Sequence, residues 1–198
     1  KTIPLLIEAD GSRKLPIKAP AEKEPVIPDW VNTVMVVVGL SSVGMIASEQ
    51  TIHRFSHFSA ITGLPQGEQI GVHAIEKMLV HSSGGLKRIP KGAKRIALLN
   101  QADDDDLVMA ASALAERLIG VYDTALVASL KGSSAGVKYC AERIAGVVLA
   151  AGGASRYGEP KALLEWHREP LVRHVAIKAL EAGLKPVVVV IGAVIEPI

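Results

Sequence analysis

The sequence predicts an α/β fold built on a mostly parallel sheet. Two observations carry that prediction. Short runs of continuous apolar residues recur along the 198-residue chain, without the polar alternation of a half-exposed strand. Between them lie longer segments with helical periodicity, so strand and helix alternate throughout. An apolar fraction of 49% is ample for a core, and aromatics at only 4% leave Val, Leu, Ile and Ala to build it.

In order, strands are expected at Leu5–Ile7, Val34–Val38, Ile96–Leu99, Ala125–Ala128, Val147–Leu149 and Val187–Ile191. Helices are expected over 68–81, 104–119 and 171–182, the last stopped by Gly183 ahead of Pro186. Four prolines between Gly11 and Pro28, with mixed charge, predict an extended loop. The polar, turn-like Lys131–Gly136 marks a boundary, dividing the chain into domains at 1–142 and 143–198. A β-loop-α-β piece of the second size buries too little surface to be secure by itself.

The net charge is +2 and the basic residues are scattered rather than striped, which argues against nucleic acid as a partner. The longest apolar stretch, Val187–Ile195, is too short to span a bilayer. Cys140 is the single cysteine, so no internal disulfide forms and a reducing cytoplasm fits. The chain opens on Lys1 rather than methionine and reads as a piece of a longer protein.

The most informative segment is Leu149-Ala150-Ala151-Gly152-Gly153-Ala154-Ser155-Arg156, continued by Gly158, Pro160-Lys161 and Leu163-Leu164. Glycines after a strand let the backbone turn sharply and aim N–H groups at one point, a concavity suited to phosphate oxygens. Arg156 supplies a two-pronged phosphate donor and Lys161 a mobile point charge. A purely structural connection needs neither three glycines nor that Arg–Lys spacing. Ser155 and Tyr157 are adequately explained by turn hydrogen bonding and packing.

Two acidic patterns stand in the first region. Glu8-Ala9-Asp10-Gly11 places carboxylates at the end of an apolar strand, the sheet edge where α/β proteins bind ligands. Asp10 there is a candidate Mg²⁺ ligand, or simply the start of an Asp-Gly turn. Asn100-Gln101-Ala102-Asp103 ends a hydrophobic strand and resembles the Asn-Lys-x-Asp element of GTPases, whose aspartate reads the guanine edge. Glutamine stands where lysine is usual. Asp103–Asp106 also suits a helix N-terminus, and one aspartate can read a base while the next caps. His53 and His57, four apart, would share a helix face. With His73 and His81 they read as surface or partly buried histidines rather than a metal site, and Cys140 as a small apolar filler.

The 149–164 segment resembles the opening signature of MobA-like nucleotidyltransferases, which join a nucleotide to molybdopterin. Ile7–Arg13, Leu15-Pro16, Lys18-Ala19-Pro20, Glu24–Pro28 and Leu99–Asp103 resemble the YqeC family, accessory proteins linked to selenium-dependent molybdenum hydroxylases. The resemblances imply a P-loop-NTPase-like, mostly parallel sheet followed by the start of a Rossmann-like nucleotidyltransferase domain. The Gly-x-x-Gly-Lys-Thr-type loop of such NTPases is missing. Gly84-Gly85-Leu86-Lys87 is the nearest group and lacks the spacing.

By resemblance, Leu149–Ser155 would cradle a triphosphate, and Arg156 and Lys161 would offset charge on the departing pyrophosphate. Mg²⁺ would assist, with its acidic ligands expected beyond Ile198. Asn100 and Asp103 would hold a nucleotide. Leu149-Ala-Ala-Gly looks more like cytidylyl- than guanylyl-transferring members, so CTP is expected ahead of GTP. The implied partners are molybdopterin and a client molybdenum hydroxylase. Two alternatives stay open: a non-catalytic nucleotide- or cofactor-binding accessory protein, and a sugar-phosphate nucleotidyltransferase.

Overall fold

The computed structural model describes residues 5–131, 135–152 and 160–192. The fold is mixed α/β with mostly parallel strand pairing, and it divides into two units, 1–142 and 143–198.

In the first unit the short strands β1 (Ile17–Lys18) and β3 (Ile52–His53) pair in parallel. The main sheet has β2 (Thr33–Gly39) at one edge, followed by β4 (Lys94–Asn100), β5 (Thr124–Ser129) and β6 (Gly136–Glu142). The first three run parallel and β6 closes the far side antiparallel, with an irregularity in β5 between Val127 and Ala128. The helices are α1 (Phe55–Thr62), α2 (Val72–Val80) and α3 (Asp105–Leu118).

The core follows from side-chain periodicity. Alternate strand residues Val38, Ala97, Leu99, Ala125, Val127 and Ala141 point to one face. There they meet Ala111, Leu114, Ala115 and Leu118 of α3, with Ile75, Met78 and Leu79 of α2 in the same cluster. Arg117 of α3 grips Glu76 of α2 through Nε and Nη2 at 3.0–3.1 Å. Tyr122, 1% exposed, donates its hydroxyl to the Leu79 carbonyl at 2.9 Å, and burial raises its pKa. The other face is more open than the apolar runs suggest: Met35 is 48% and Val37 58% exposed.

Most expected elements form, with shifts that local chemistry explains. α2 starts at Val72 rather than residue 68, because Gln69 is drawn into a bridge with Ile46. α3 starts after Asp104, whose Oδ1 accepts from the Leu107 N–H at 2.8 Å, a side-chain cap. The strand expected at Leu5–Ile7 is not formed: the segment is irregular, and Leu6 is 96% exposed. Three apolar residues make a strand only where a neighbour completes their backbone hydrogen bonds, and no pairing is formed there. Strand β6 was not expected, since Lys138 and Glu142 interrupt its apolar residues.

Two residue-level expectations are corrected, and the Gly84–Gly85 pair has a packing role. His53 lies in β3, ahead of α1, so it does not share a helix face with His57. Cys140 is exposed on β6 rather than buried as filler, since its side chain falls on the sheet's open side. Gly84 and Gly85 tuck under the end of α2, with Gly85 N–H donating to the Met78 carbonyl at 2.9 Å. A Cβ on Gly85 would lie 2.7 Å from the Tyr122 hydroxyl, so that glycine is a packing requirement.

In the second unit β7 (Gly146–Ala150) and β10 (Val187–Ile191) pair in parallel. Between them come a hairpin of β8 (Glu165–Trp166) and β9 (Glu169–Pro170), then α4 (Leu171–Glu181). Gly183, at φ 87°, turns the chain out of α4 as its sequence position predicts. The expected burial of the first strand does not hold: Val147 is 63% and Leu149 79% exposed. Two strands and one helix cannot cover both faces of a sheet.

Candidate functional site

The C-terminal ends of β4 and β5 form a built, polar concavity. β4 ends at Asn100, and Gln101 takes a left-handed conformation, φ 63°, that turns the chain sharply. Ala102, 1% exposed, then donates its N–H to the Ala128 carbonyl at 3.0 Å, tying the turn to β5. That tie sets Asp103 beside Ser129, whose hydroxyl donates to Asp103 Oδ1 at 2.6 Å.

Gln101 is held as well. Its Oε1 accepts from the Ser41 hydroxyl at 2.7 Å, and its side chain lies over Gly39, where a Cβ would collide with it. Ser41, Asn100, Gln101, Asp103, Leu130 and Lys131 line a cavity of about 420 Å³. Asn100 Oδ1 is buried there without a hydrogen-bond partner among the described residues. A buried acceptor left unpaired costs about 1–3 kcal/mol.

The structure therefore brings Asn100 and Asp103 together and places Asp10 elsewhere. Asp10 pairs with Lys18 Nζ at 2.7 Å, and Lys18 also meets Glu24 at 2.9 Å. Arg54 closes the network with a two-pronged contact to Glu24 at 2.8 Å on each side. The Lys18 hydrogen bond, then that of Arg54, holds the Glu24 carboxyl at a pKa of about 2 against the opposing effect of burial. Beside it His53 has its pKa lowered, first by burial and then by the Arg54 charge. Among the described residues no group of three or more His, Cys, Asp or Glu is placed to hold a metal. Asp10 and Glu24 thus share the ammonium of Lys18 between them. The network instead braces the proline-rich loop, which is further held by Lys87 Nζ on the Ala21 carbonyl at 2.6 Å and Arg88 on Lys23 at 2.8 Å.

In the second unit Leu149 and Ala150 end β7, and Ala151 and Gly152 leave its C-terminal end exposed. Gly153, Ala154, Ser155 and Arg156 lie outside the described residues. Lys161 opens a single 3₁₀ turn, Lys161–Leu163. Glu169 of β9 contacts His174 Nδ1 at 3.2 Å and Arg173 at 3.6 Å. The hairpin tip stacks Trp166 edge-on to His167, with centroids 5.2 Å apart.

Comparison with known proteins separates the same two regions. Residues 1–56 match the family model described as YqeC protein, and residues 146–197 match that of the MobA-like NTP transferase domain. Both resemblances are confirmed. The chain is 36% identical over 114 residues to the uncharacterized protein YqeC of Escherichia coli (strain K12), covering 58% of this chain and 44% of that protein. It is 42% identical over 48 residues to a probable molybdenum cofactor guanylyltransferase of Bacillus mycoides (strain KBAB4), covering 24% of each. A probable molybdenum cofactor guanylyltransferase of Bacillus cereus (strain G9842) is 46% identical over 48 residues, again 24% of each. The chain thus spans less than half the length of these relatives. No solved structure matches it significantly.

The glycine loop falls inside the MobA-like segment, whereas Asn100 and Asp103 lie outside the residues matched by the YqeC family model. Sequence reading missed Ser41 and Lys131 as cavity residues. Lys131, two residues beyond the β5 end, carried the available signal, because parallel strands offer ligands their C-terminal ends.

Proposed function

We propose that the chain is part of a molybdenum cofactor maturation factor that moves a nucleotidyl group from an NTP to molybdopterin and releases pyrophosphate. The match of residues 146–197 to the MobA-like NTP transferase domain carries this reading. In it, 143–198 is a MobA-like nucleotidyltransferase domain and 1–142 a YqeC-like nucleotide-binding domain. Leu149–Ser155 hold the triphosphate, with Arg156 and Lys161 balancing charge as pyrophosphate leaves. A terminal molybdopterin phosphate oxygen attacks the α-phosphorus, forming one P–O bond while the bond to pyrophosphate breaks.

The guanylyltransferase relatives favour GTP, whereas Leu149-Ala-Ala-Gly favours CTP. We take GTP as the first donor to test. The Mg²⁺ implied for such a triphosphate is proposed to arrive with the nucleotide, and no step is assigned to Asp10. A cytoplasmic setting is proposed with the exposed thiol of Cys140. Among the described residues no helix is long and apolar enough to cross a membrane.

The test is pyrophosphate release from GTP and from CTP with molybdopterin present, for the wild-type chain and Arg156→Ala. The reading expects release that depends on molybdopterin and is lost in the variant. Equal turnover by both would remove Arg156 from the mechanism. A second reading, a non-catalytic accessory protein serving a molybdenum hydroxylase, is favoured by the first unit. It has a polar cavity and no metal-holding cluster among its described residues.

A further inference from the structure

We propose that the hairpin of β8 and β9 docks the pterin end of the acceptor: a flat, fused heterocycle stacks on Trp166 and His167, with Arg168 and Arg173 facing its anionic dithiolate. This rests on the nucleotidyl-transfer reading of the second unit and assigns the part of the acceptor remote from the reacting phosphate.

Topology sets the hairpin at the ligand-binding end of that unit. β7 and β10 run parallel, and α4, packed on both, returns the chain between them. α4 therefore begins at the sheet edge where β7 ends and the glycine segment starts. The hairpin leads straight into α4, fastened by the Leu171 N–H, which donates to the Leu164 carbonyl at 2.9 Å. Its rings thus stand at the C-terminal edge of the strands, where parallel sheets bind ligands.

Three rings form a connected surface there. Trp166 is 52% exposed and meets His167 edge-on at 5.2 Å. His167 in turn stacks on His174, with centroids 6.0 Å and planes 30° apart. Glu169 Oε1, 3.2 Å from His174 Nδ1, orients the rear ring. His167 and Arg168 make the two-residue turn with left-handed φ of 51° and 68°, where Asn-Gly is the relaxed choice. A turn that keeps an imidazole and a guanidinium against that preference bears backbone strain for the side chains it presents.

The charges beside the rings select the ligand. An exposed indole stacks on any flat heterocycle, and adjacent guanidinium groups favour one with an anion attached close by. In a nucleotide, neutral ribose separates the base from its phosphates. In molybdopterin, the dithiolate sits on the ring fused to the pterin. Arg168 stands in the turn itself, and Arg173, largely exposed, reaches Glu169 at 3.6 Å.

The test uses pterins without phosphate, which do not report on the glycine loop. The chain has two tryptophans, Trp30 and Trp166, so its indole N–H signals are two and Trp30→Phe assigns them. The full ¹⁵N-labelled chain is titrated with 6-carboxypterin, which carries an anion on the ring, with neutral 6-methylpterin and with guanosine. 6-Carboxypterin is expected to shift the Trp166 indole, with 6-methylpterin about threefold to tenfold weaker and guanosine no tighter than that. Trp166→Ala should weaken 6-carboxypterin about tenfold or more, and Trp166→Phe should restore most of the binding. Arg168→Gln should erase the advantage of 6-carboxypterin over 6-methylpterin. In pyrophosphate release, Trp166→Ala should raise the KM for molybdopterin and leave that for the NTP unchanged. No indole shift with 6-carboxypterin, unchanged affinity in Trp166→Ala, or guanosine binding as tightly as 6-carboxypterin overturns the inference, and molybdopterin-dependent release by the wild type then leaves the transfer reading standing. An indole shift without any such release overturns the transfer reading and keeps the hairpin as a pterin site. The amide dispersion of each variant confirms that it is folded.

Discussion

Ser129 Oγ donates to Asp103 Oδ1 at 2.6 Å, joining the turn after β4 to the end of β5. Asp103 lies in the turn after β4 and Ser129 ends β5, and their contact fixes the carboxylate at the cavity wall. Ser129→Ala should loosen that carboxylate while keeping its charge. A stability loss of about 0.5–1.5 kcal/mol is expected. Denaturant unfolding checks it.

Gly39→Ala tests the packing of Gln101. The added methyl would collide with Gln101 Oε1 and lie 2.8 Å from Pro16 Cβ. The glutamine must leave Ser41 or the strand must shift, at a cost of about 1–3 kcal/mol. Urea unfolding should show the loss, and Gly39→Ala with Gln101→Gly should recover part of it.

Glu24→Gln tests the ion network. A carboxyl whose folded pKa, about 2, lies below its unfolded value stabilises the fold above the unfolded pKa. That stability drains away as pH falls from about 4.5 toward 2. The wild-type unfolding free energy should therefore decline across that window more steeply than the variant's. At pH 7 the variant should be weaker by about 1.5–3 kcal/mol, having lost charge-assisted bonds to Lys18 and Arg54. Parallel acid slopes would contradict the assignment.

Tyr122→Phe removes one buried hydroxyl and leaves the Leu79 carbonyl without that donor. The expected destabilisation is about 1–2 kcal/mol. Thermal unfolding checks it.

Much of this fold was legible because its signals are local. The Val34–Val38 and Ile96–Leu99 runs announce parallel strands, and Asp104 announces the start of α3. Leu5–Ile7 misled because a strand exists only with a partner, which three residues cannot reveal. β6 was missed because Val137-Lys138-Tyr139-Cys140 mixes polar with apolar residues, as an antiparallel edge strand tolerates. Asn100 and Asp103 could be singled out from strand-end spacing. Lys131, just past the β5 end, carried the same kind of signal; Ser41 did not, because the register of β2 against β4, rather than proximity in sequence, brings it to the same cavity.

The central claim is that the glycine loop after β7 grips polyphosphate through Arg156 and Lys161. The most direct measurement is calorimetric titration of the full chain with inorganic tripolyphosphate, which has no base and so bypasses the cavity of the first unit. Saturable binding is expected, weakened about tenfold or more in Arg156→Ala. Equal binding by wild type and variant, or none by wild type, would contradict the account.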